Sequence, residues 1–143
     1  SKRDTLIIAS VIGLLAGLAA DLDIFIRSST DPLLFLEYHR HFTHSIIFIP
    51  FGALICAVVF YYLFSKRNNL SFRQTYFFSF LGYATHGIID SFTTYGTLLF
   101  WPFTDERIAW NTISVIDPIF TIPIFIFATL SILKITTIIL NGM

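Results

Sequence analysis

Long apolar stretches alternate with short polar segments along this chain, and four of the stretches approach or reach the length of a membrane span. About 20 apolar residues in an α-helix cross the hydrocarbon core of a bilayer. The first stretch runs from Thr5 to about Ile26, and the second runs from Ser45 to Phe64 without a charged residue. The third runs from about Thr75 to Phe92 and the fourth from about Val115 to Leu133. The pattern predicts an all-α, polytopic transmembrane helical bundle of about four spanning helices.

The segment between the third and fourth stretches has a different character. Thr93 to Trp110 is rich in aromatic residues and turn formers, including Tyr95-Gly96 and Trp101-Pro102. Aromatic residues concentrate at membrane interfaces, and irregular backbone is tolerated at membrane depth only where protein or a water-filled cavity surrounds it. We therefore expect an interfacial or re-entrant segment here.

The composition agrees with a membrane protein and excludes several other classes. Of the 143 residues, 55% are hydrophobic and 13% are charged, whereas about a quarter of the residues of a soluble domain are charged. The net charge is zero, so nothing indicates a nucleic-acid surface. A single cysteine, Cys56, cannot form a disulfide framework or a thiolate metal cluster within one chain, and core packing is its expected role. We expect one membrane-embedded domain over residues 1–143.

Basic residues predict the orientation, because Lys and Arg accumulate in short cytoplasmic loops. One side of the predicted bundle carries Lys2, Arg3, Lys66, Arg67, Arg73 and Lys134. The other side carries Arg27, Arg40 and Arg107 but also eight of the nine acidic residues and all four histidines, so we place this cluster on the extracytoplasmic side. The alternative for the first stretch is a cleaved signal peptide, since basic residues precede an apolar run that ends in small residues.

The ionisable residues gather at the ends of the predicted helices. Asp21 and Asp23 end the first span, while His39, Arg40, His41 and His44 immediately precede the second. On the third span His86 and Asp90 are four residues apart, so they lie on one helical face with a spacing that suits chelation of one ion. Asp117 opens the fourth span. Imidazole and carboxylate ligands suit zinc, manganese or iron, and an ion with an open position can activate water for hydrolysis.

Each of these residues also has a simpler interpretation. His86 and Asp90 could be a buried hydrogen-bonded pair, Asp21 and Asp23 a solvated helix terminus, and Arg107 part of a surface ion cluster with its acidic neighbours. For His41 we prefer the simpler interpretation of an exposed interfacial residue. Ionisable groups at membrane depth cost about 3 kcal/mol each on insertion scales unless they pair or bind an ion, and here four elements bring them to one face. That convergence favours a metal site.

At these same positions the chain resembles the YdjM-like family of bacterial and archaeal inner-membrane proteins, which are generally described as metal-dependent hydrolases. The ordered set of motifs is Asp21-Leu22-Asp23, His39-Arg40-His41-Phe42-Thr43-His44-Ser45, His86-Gly87-Ile88-Ile89-Asp90, Tyr95-Gly96, Trp101-Pro102-Phe103 and Asp117-Pro118. The resemblance runs from about Leu6 to Phe125. Two departures stand out: position 41 usually holds a small residue, and the family usually begins with a further helix carrying a Thr-His pair.

The resemblance implies a metal site, and it assigns residues to it. The implied metal ligands are Asp21, Asp23, His39, His44, His86 and Asp90, for a divalent ion that is zinc or else manganese or iron. For catalysis we predict Asp23, Arg40 and His44, and for substrate binding Arg40, Thr43, Ser45 and Arg107. A guanidinium matches the geometry of phosphate, and a more distant similarity to helical zinc-dependent phospholipases C and nucleases also points to phosphoesters.

We therefore expect a multi-pass protein of a bacterial or archaeal cytoplasmic membrane that hydrolyses a lipid-linked or amphiphilic phosphoester at the extracytoplasmic boundary. The competing hypothesis is a non-enzymatic membrane protein whose His/Asp cluster binds or transports a metal ion or packs a larger complex. A transporter more often has paired interrupted helices and a site at the midplane, whereas these residues lie near one interface. Both hypotheses leave an oligomer open.

Overall fold

The computed structural model describes residues 2–31, 33–114, 118–119, 121–123, 125–126 and 129–130. In this part of the chain the α-helices are α1 (Lys2–Ala20), α2 (Leu34–Tyr38), α3 (Phe48–Phe60) and α4 (Phe72–Ser91). A π-helical turn, Tyr61–Ser65, and a 3₁₀ turn, Lys66–Asn68, extend α3, and two further 3₁₀ turns span Asp21–Phe25 and Phe42–His44. Two isolated β-bridges occur, but no strand forms among the described residues. The all-helical prediction is confirmed for this part of the chain.

Two helical stretches of the described chain are long and apolar enough to cross a membrane, Thr5–Phe25 and Phe48–Asn68. They correspond to the first and second predicted spans. The helix α4 has 20 residues, but its polar side chains leave it out of this pair. Most of the fourth predicted span, together with Asp117, lies outside the described residues. Four spans therefore remain a prediction.

The helix α4 packs against both α1 and α3, and glycines set how closely it approaches each of them. Gly13 and Gly17 of α1 follow the small-xxx-small spacing that permits close helix approach. A Cβ atom at Gly82 of α4 would overlap the carbonyl group of Gly13, and one at Gly17 would lie 3.2 Å from the carbonyl oxygen of Gly82. On the other side, a Cβ atom at Gly52 of α3 would collide with the ring of Tyr83. The backbones therefore touch where side chains would hold them apart.

Small side chains dominate the core between these helices. It contains Ala16, Ala20, Ile49, Ala53, Cys56 and Tyr83. Cys56 is a buried free thiol, as the sequence predicted. Because alanine, glycine and cysteine occupy little volume, α1 and α3 can pack closely against α4.

The segment that follows α4 folds back over that same end of the bundle. The backbone N–H of Ile46 donates to the carbonyl of Leu99 at 2.9 Å, and the N–H of Leu98 donates to the carbonyl of Arg40 at 3.1 Å. A third bond, from the N–H of Trp110 to the carbonyl of Ser91, measures 2.9 Å. The aromatic segment is thus irregular backbone packed on protein, as a re-entrant or interfacial segment requires, while its depth in the membrane stays a prediction.

Candidate metal centre

Three separate element ends carry the candidate site. Asp21 and Asp23 lie in the 3₁₀ turn that continues α1, and His44 ends the 3₁₀ turn before α3. His86 and Asp90 lie in the last two turns of α4. Gly17 of α1 lies close to His86 of α4, since a Cβ atom at Gly17 would lie only 3.7 Å from the Cβ of His86. Close packing of α1 on α4 therefore brings His86 beside the end of α1.

Four of these side chains form a compact group, which we call the four-residue group: Asp21, His44, His86 and Asp90. One potential ligand atom from each lies within 4.8 Å of all the others. The Nε2 atom of His86 is 3.1 Å from Asp21 Oδ2 and 3.3 Å from Asp90 Oδ2. The Nε2 atom of His44 is 3.3 Å from Asp90 Oδ2 and 3.5 Å from Asp21 Oδ1. Both histidines thus present the same ring nitrogen to the same two carboxylates.

The unsatisfied polar atoms of the structure provide a test of whether a metal fits. Among the described residues, Asp21 Oδ1, His44 Nε2, His86 Nε2 and Asp90 Oδ2 are all buried and form no well-directed hydrogen bond, although Arg40 Nε forms an ion pair with Asp90 Oδ2. Their contacts with one another, at 3.1–3.5 Å, are ion pairs without the alignment of good hydrogen bonds. A divalent cation among them would satisfy all four, and two carboxylates would balance its charge. Two imidazoles and two carboxylates fit zinc, manganese or iron.

A chain of hydrogen bonds orients the ring of His44 for such a role. The hydroxyl of Thr43 donates to Asp23 Oδ2 at 2.6 Å and lies 3.0 Å from Nδ1 of His44. Because that hydroxyl proton is engaged with Asp23, the Nδ1–H of His44 must donate to the Thr43 oxygen, which leaves the Nε2 lone pair facing the four-residue group. Metal-binding histidines are commonly fixed by a partner on their other nitrogen.

The carboxylates around His44 change the pKa of its imidazole. Burial acts to lower the pKa of His44, but the nearby carboxylates of Asp21, Asp23 and Asp90 outweigh burial and raise the pKa to about 10. Without a cation, His44 therefore holds a proton among the carboxylates at neutral pH. A divalent cation would take the place of that proton, so metal binding should weaken as the pH falls.

Asp23 and His39 form a second arrangement beside the first. Asp23 Oδ1 lies 2.8 Å from Nδ1 of His39, while Oδ2 accepts the backbone N–H of Arg40 at 2.9 Å and the Thr43 hydroxyl. The side chain of Asp23 is fully buried, and that of His39 is 24% exposed. One potential ligand atom from each of Asp21, Asp23 and His39 also lies within 4.8 Å of the other two. Unlike the four-residue group, however, Asp23 already has partners on both carboxylate oxygens.

Arg40 lies between the two arrangements. Its backbone is left-handed, with φ of 57°, and its side chain is nearly buried. The Nε atom is 3.0 Å from Asp90 Oδ2, and NH1 donates to the hydroxyl of Thr93 at 3.0 Å. The guanidinium thus places a fixed positive charge beside the four-residue group and ties it to the returning segment. Sequence reasoning missed Thr93, since a threonine after a helix carries no distinctive signal.

Arg107 comes from the returning segment and supports the site from outside. Its NH1 group donates to the carbonyls of Gly96 at 3.2 Å and His39 at 3.4 Å. Its guanidinium also lies over the ring of Tyr95, 4.6 Å from the centroid. Gly96 has a φ of +66° and abuts the carbonyl of Ile108, so this turn needs a glycine. Arg107 is thereby positioned next to His39 rather than in the four-residue group.

The remaining predicted residues lie apart from both metal groups. The hydroxyl oxygen of Ser45 accepts the backbone N–H of Phe48, the first residue of α3, at 3.2 Å. The ring of His41 packs near Tyr38 and Trp101, with centroid distances of 5.4 and 5.7 Å. The structure thus brings together Asp21, His44, His86 and Asp90, places Asp23, His39, Thr43 and Arg40 directly around them, and leaves Ser45 and His41 outside.

Comparisons with known proteins agree with the motifs. The family model described as "YdjM inner membrane protein" matches residues 1–142. The chain is also 29% identical over 111 residues to "Uncharacterized protein YfhP" of Bacillus subtilis (strain 168), a match that covers 77% of this chain and 33% of that protein. The chain therefore spans about a third of the length of this relative. No solved structure matches it. With nearly every residue covered by the family model and two apolar helices of spanning length, the chain is a membrane protein that belongs to the YdjM inner membrane protein family.

Proposed function

We propose that the chain is a metal-dependent membrane hydrolase that acts on a lipid-linked or amphiphilic phosphoester. The observation that carries this proposal is the meeting of four buried, unsatisfied ligand atoms from three element ends, surrounded by Asp23, His39 and Arg40. A hydrogen-bonded packing network would leave fewer of these atoms without partners.

The four-residue group is the part that would hold the ion. When bound, a zinc-type ion polarises a phosphoryl oxygen and lowers the pKa of water. The side chains of Asp21 and His86 are 33% and 24% exposed, whereas those of His44 and Asp90 are buried or nearly so. The four ligand atoms themselves are buried, so water and substrate would enter from the side of the partly exposed Asp21 and His86.

His39 is the best placed proton acceptor. Its Nδ1–H donates to Asp23, which leaves the Nε2 lone pair free to take a proton from an attacking water. Asp23 holds the ring in this tautomer and is itself held by Arg40 and Thr43. We therefore assign His39 and Asp23 to proton transfer, in preference to the ligand roles that the family resemblance implies for them.

The substrate should carry an anionic group near the membrane surface. Arg40 supplies positive charge next to the four-residue group. A guanidinium binds the anionic oxygens of a phosphoester better than it binds a neutral ester. A membrane-embedded site favours a substrate that itself partitions into the membrane. A phosphoester attached to a lipid meets both requirements.

The competing function is a non-enzymatic one, in which the cluster binds a metal or fixes a larger complex. The observation that favours it is that the Arg40 guanidinium already contacts Asp90 and Thr93. These contacts hold structural elements together without any substrate. Activity separates the two hypotheses, since both allow a bound metal.

The proposed function predicts metal-dependent release of product from a phosphoester panel. The full-length protein in mixed micelles should hydrolyse at least one phospholipid or polyprenyl phosphate when loaded with zinc or manganese. Chelation should abolish the activity, and re-addition of metal should restore it. A metal-loaded protein that hydrolyses no member of the panel would favour the non-enzymatic function.

We also propose that the site faces the extracytoplasmic side, because the turn at Lys66–Asn68 and the start of α4 carry Lys66, Arg67 and Arg73. Asn69 has a φ of 57°, which cysteine adopts poorly, so the exposed Asn68 is the better labelling position. An Asn68→Cys protein with Cys56→Ala should resist an impermeant thiol reagent in intact cells and react after permeabilisation. Labelling of Asn68→Cys in intact cells would show that the orientation is opposite to the one proposed.

A further inference from the structure

A cavity of about 290 Å³ lies between α1 and α3 and reaches Asp23 and Thr43. Its walls are apolar and include Ala19, Leu22, Phe48 and Ile55. Leu22 and Ile55 are 59% and 61% exposed, so the cavity is a groove that opens outward between the two helices. Ala19 is a small residue in this wall, whereas the space beside Gly52 is filled by the ring of Tyr83.

The position of the groove indicates what can reach it. Most of its walls belong to Thr5–Phe25 and Phe48–Asn68, the two stretches with the length and hydropathy of membrane spans. The apolar molecules that surround such helices are the hydrocarbon chains of lipids. The volume is at the lower end of the roughly 300–1,000 Å³ of small-molecule sites, so the groove has room for part of one chain rather than a whole lipid.

The inner end of the groove connects it to the candidate site. Asp23 and Thr43 line the groove, and the same two side chains orient His39 and His44. Both carry hydrogen bonds that satisfy their polar atoms, so an apolar chain can lie against them at little cost. A chain in the groove would therefore end at Asp23, one of whose carboxylate oxygens lies within 4.8 Å of a carboxylate oxygen of Asp21.

We propose that the groove between α1 and α3 binds the hydrocarbon chain of an amphiphilic phosphoester and so selects single long chains next to the headgroup. The inference rests on the proposed function in taking the bound amphiphile to be the substrate. Binding of the chain itself requires no metal, which allows the two proposals to be tested separately.

The test measures retention of hexadecyl phosphate and butyl phosphate by native mass spectrometry of the full-length, chelator-treated protein, in which turnover cannot occur. Wild type should retain hexadecyl phosphate and not butyl phosphate. Ala19→Phe, which fills the groove, should lower retention of hexadecyl phosphate at least tenfold. Leu18→Phe is the matched control, because Leu18 is the neighbouring residue, is 54% exposed and does not line the groove. It should retain the long-chain phosphate as wild type does.

A second pair keeps the test valid if Ala19→Phe fails to fold. Ile55→Gln makes the groove mouth polar and should also lose the chain, whereas Leu54→Gln, at an exposed position outside the groove, should not. The proposal would be overturned if both members of a pair lose hexadecyl phosphate equally, or if wild type retains both phosphates equally. It would also be overturned if the protein proves to be a dimer that Ala19→Phe dissociates. If the protein retains hexadecyl phosphate but the metal-loaded protein does not hydrolyse it, the proposed hydrolase function is wrong and the groove proposal stands. If every variant hydrolyses both phosphates at equal rates, the groove proposal is wrong and the hydrolase function stands.

Discussion

Replacing His86 or Asp90 by alanine should remove most of the divalent metal from the purified protein, while His41→Ala should keep it. His86 and Asp90 each contribute an unsatisfied atom to the four-residue group, so each substitution deletes a direct ligand. Loss of a group that only supports a ligand typically costs about 10–100-fold in metal affinity, and loss of a ligand should exceed this. His41 lies among aromatic rings outside both metal groups.

Elemental analysis of detergent-purified protein, with metal affinity measured by competition against a chelator, provides the measurement. Thermal unfolding of each variant without metal is the control for loss of fold. Retention of metal by His86→Ala and Asp90→Ala alike would restore the hypothesis of a buried hydrogen-bonded pair. Equal loss of metal in His41→Ala would make His41 a ligand and contradict the structure.

The part of this site that could be predicted from sequence depends on local spacing. His86 and Asp90 are four residues apart in a helix, and that periodicity alone puts them on one face, as the structure confirms. The apolar lengths likewise predicted the two stretches Thr5–Phe25 and Phe48–Asn68 to within a few residues. Where residues lie in a regular helix, the spacing in the sequence correctly predicts their positions in the structure.

The division of roles between Asp21 and Asp23 could not be predicted in this way. Two residues apart, they would lie on the same face of a strand and about 200° apart on an α-helix, whereas here they occupy a 3₁₀ turn with three residues per turn. That winding directs Asp21 toward the histidines of the four-residue group and Asp23 toward His39 and Thr43. No local pattern announces a 3₁₀ turn at the end of a long apolar helix.

The position of Arg40 also depends on structure that its sequence does not reveal. A left-handed backbone at a non-glycine residue is uncommon, and here Leu98 bonds the carbonyl of Arg40 from a segment more than fifty residues away. This long-range contact lets the Arg40 side chain reach both Asp90 and Thr93. Sequence identified Arg40 as a functional candidate, but only the fold identifies its partners.

Replacing His39 by alanine should lower turnover about 100–10,000-fold while the protein keeps its metal, because that is the usual contribution of a general acid or base. His39 has one ring nitrogen bound to Asp23 and the other free, and the ring is partly exposed beside the four-residue group. Such a residue can move a proton without holding the ion. The measurement is the rate of hydrolysis of the best phosphoester under saturating metal, with metal content determined on the same sample.

Asp23→Asn supplies the decisive comparison, because it keeps the shape of the side chain and removes the charge that orients His39. An asparagine can still accept through one oxygen, but its amide nitrogen would then face a hydrogen-bond donor, either Nδ1–H of His39 or the pair formed by the Arg40 N–H and the Thr43 hydroxyl. Turnover should therefore fall in Asp23→Asn as in His39→Ala, and the double variant should lose little more than either single variant, since the two residues act as one unit. If metal instead disappears together with activity in His39→Ala, His39 is a ligand, as the family resemblance implies. In that event the proton acceptor must be sought elsewhere around the four-residue group.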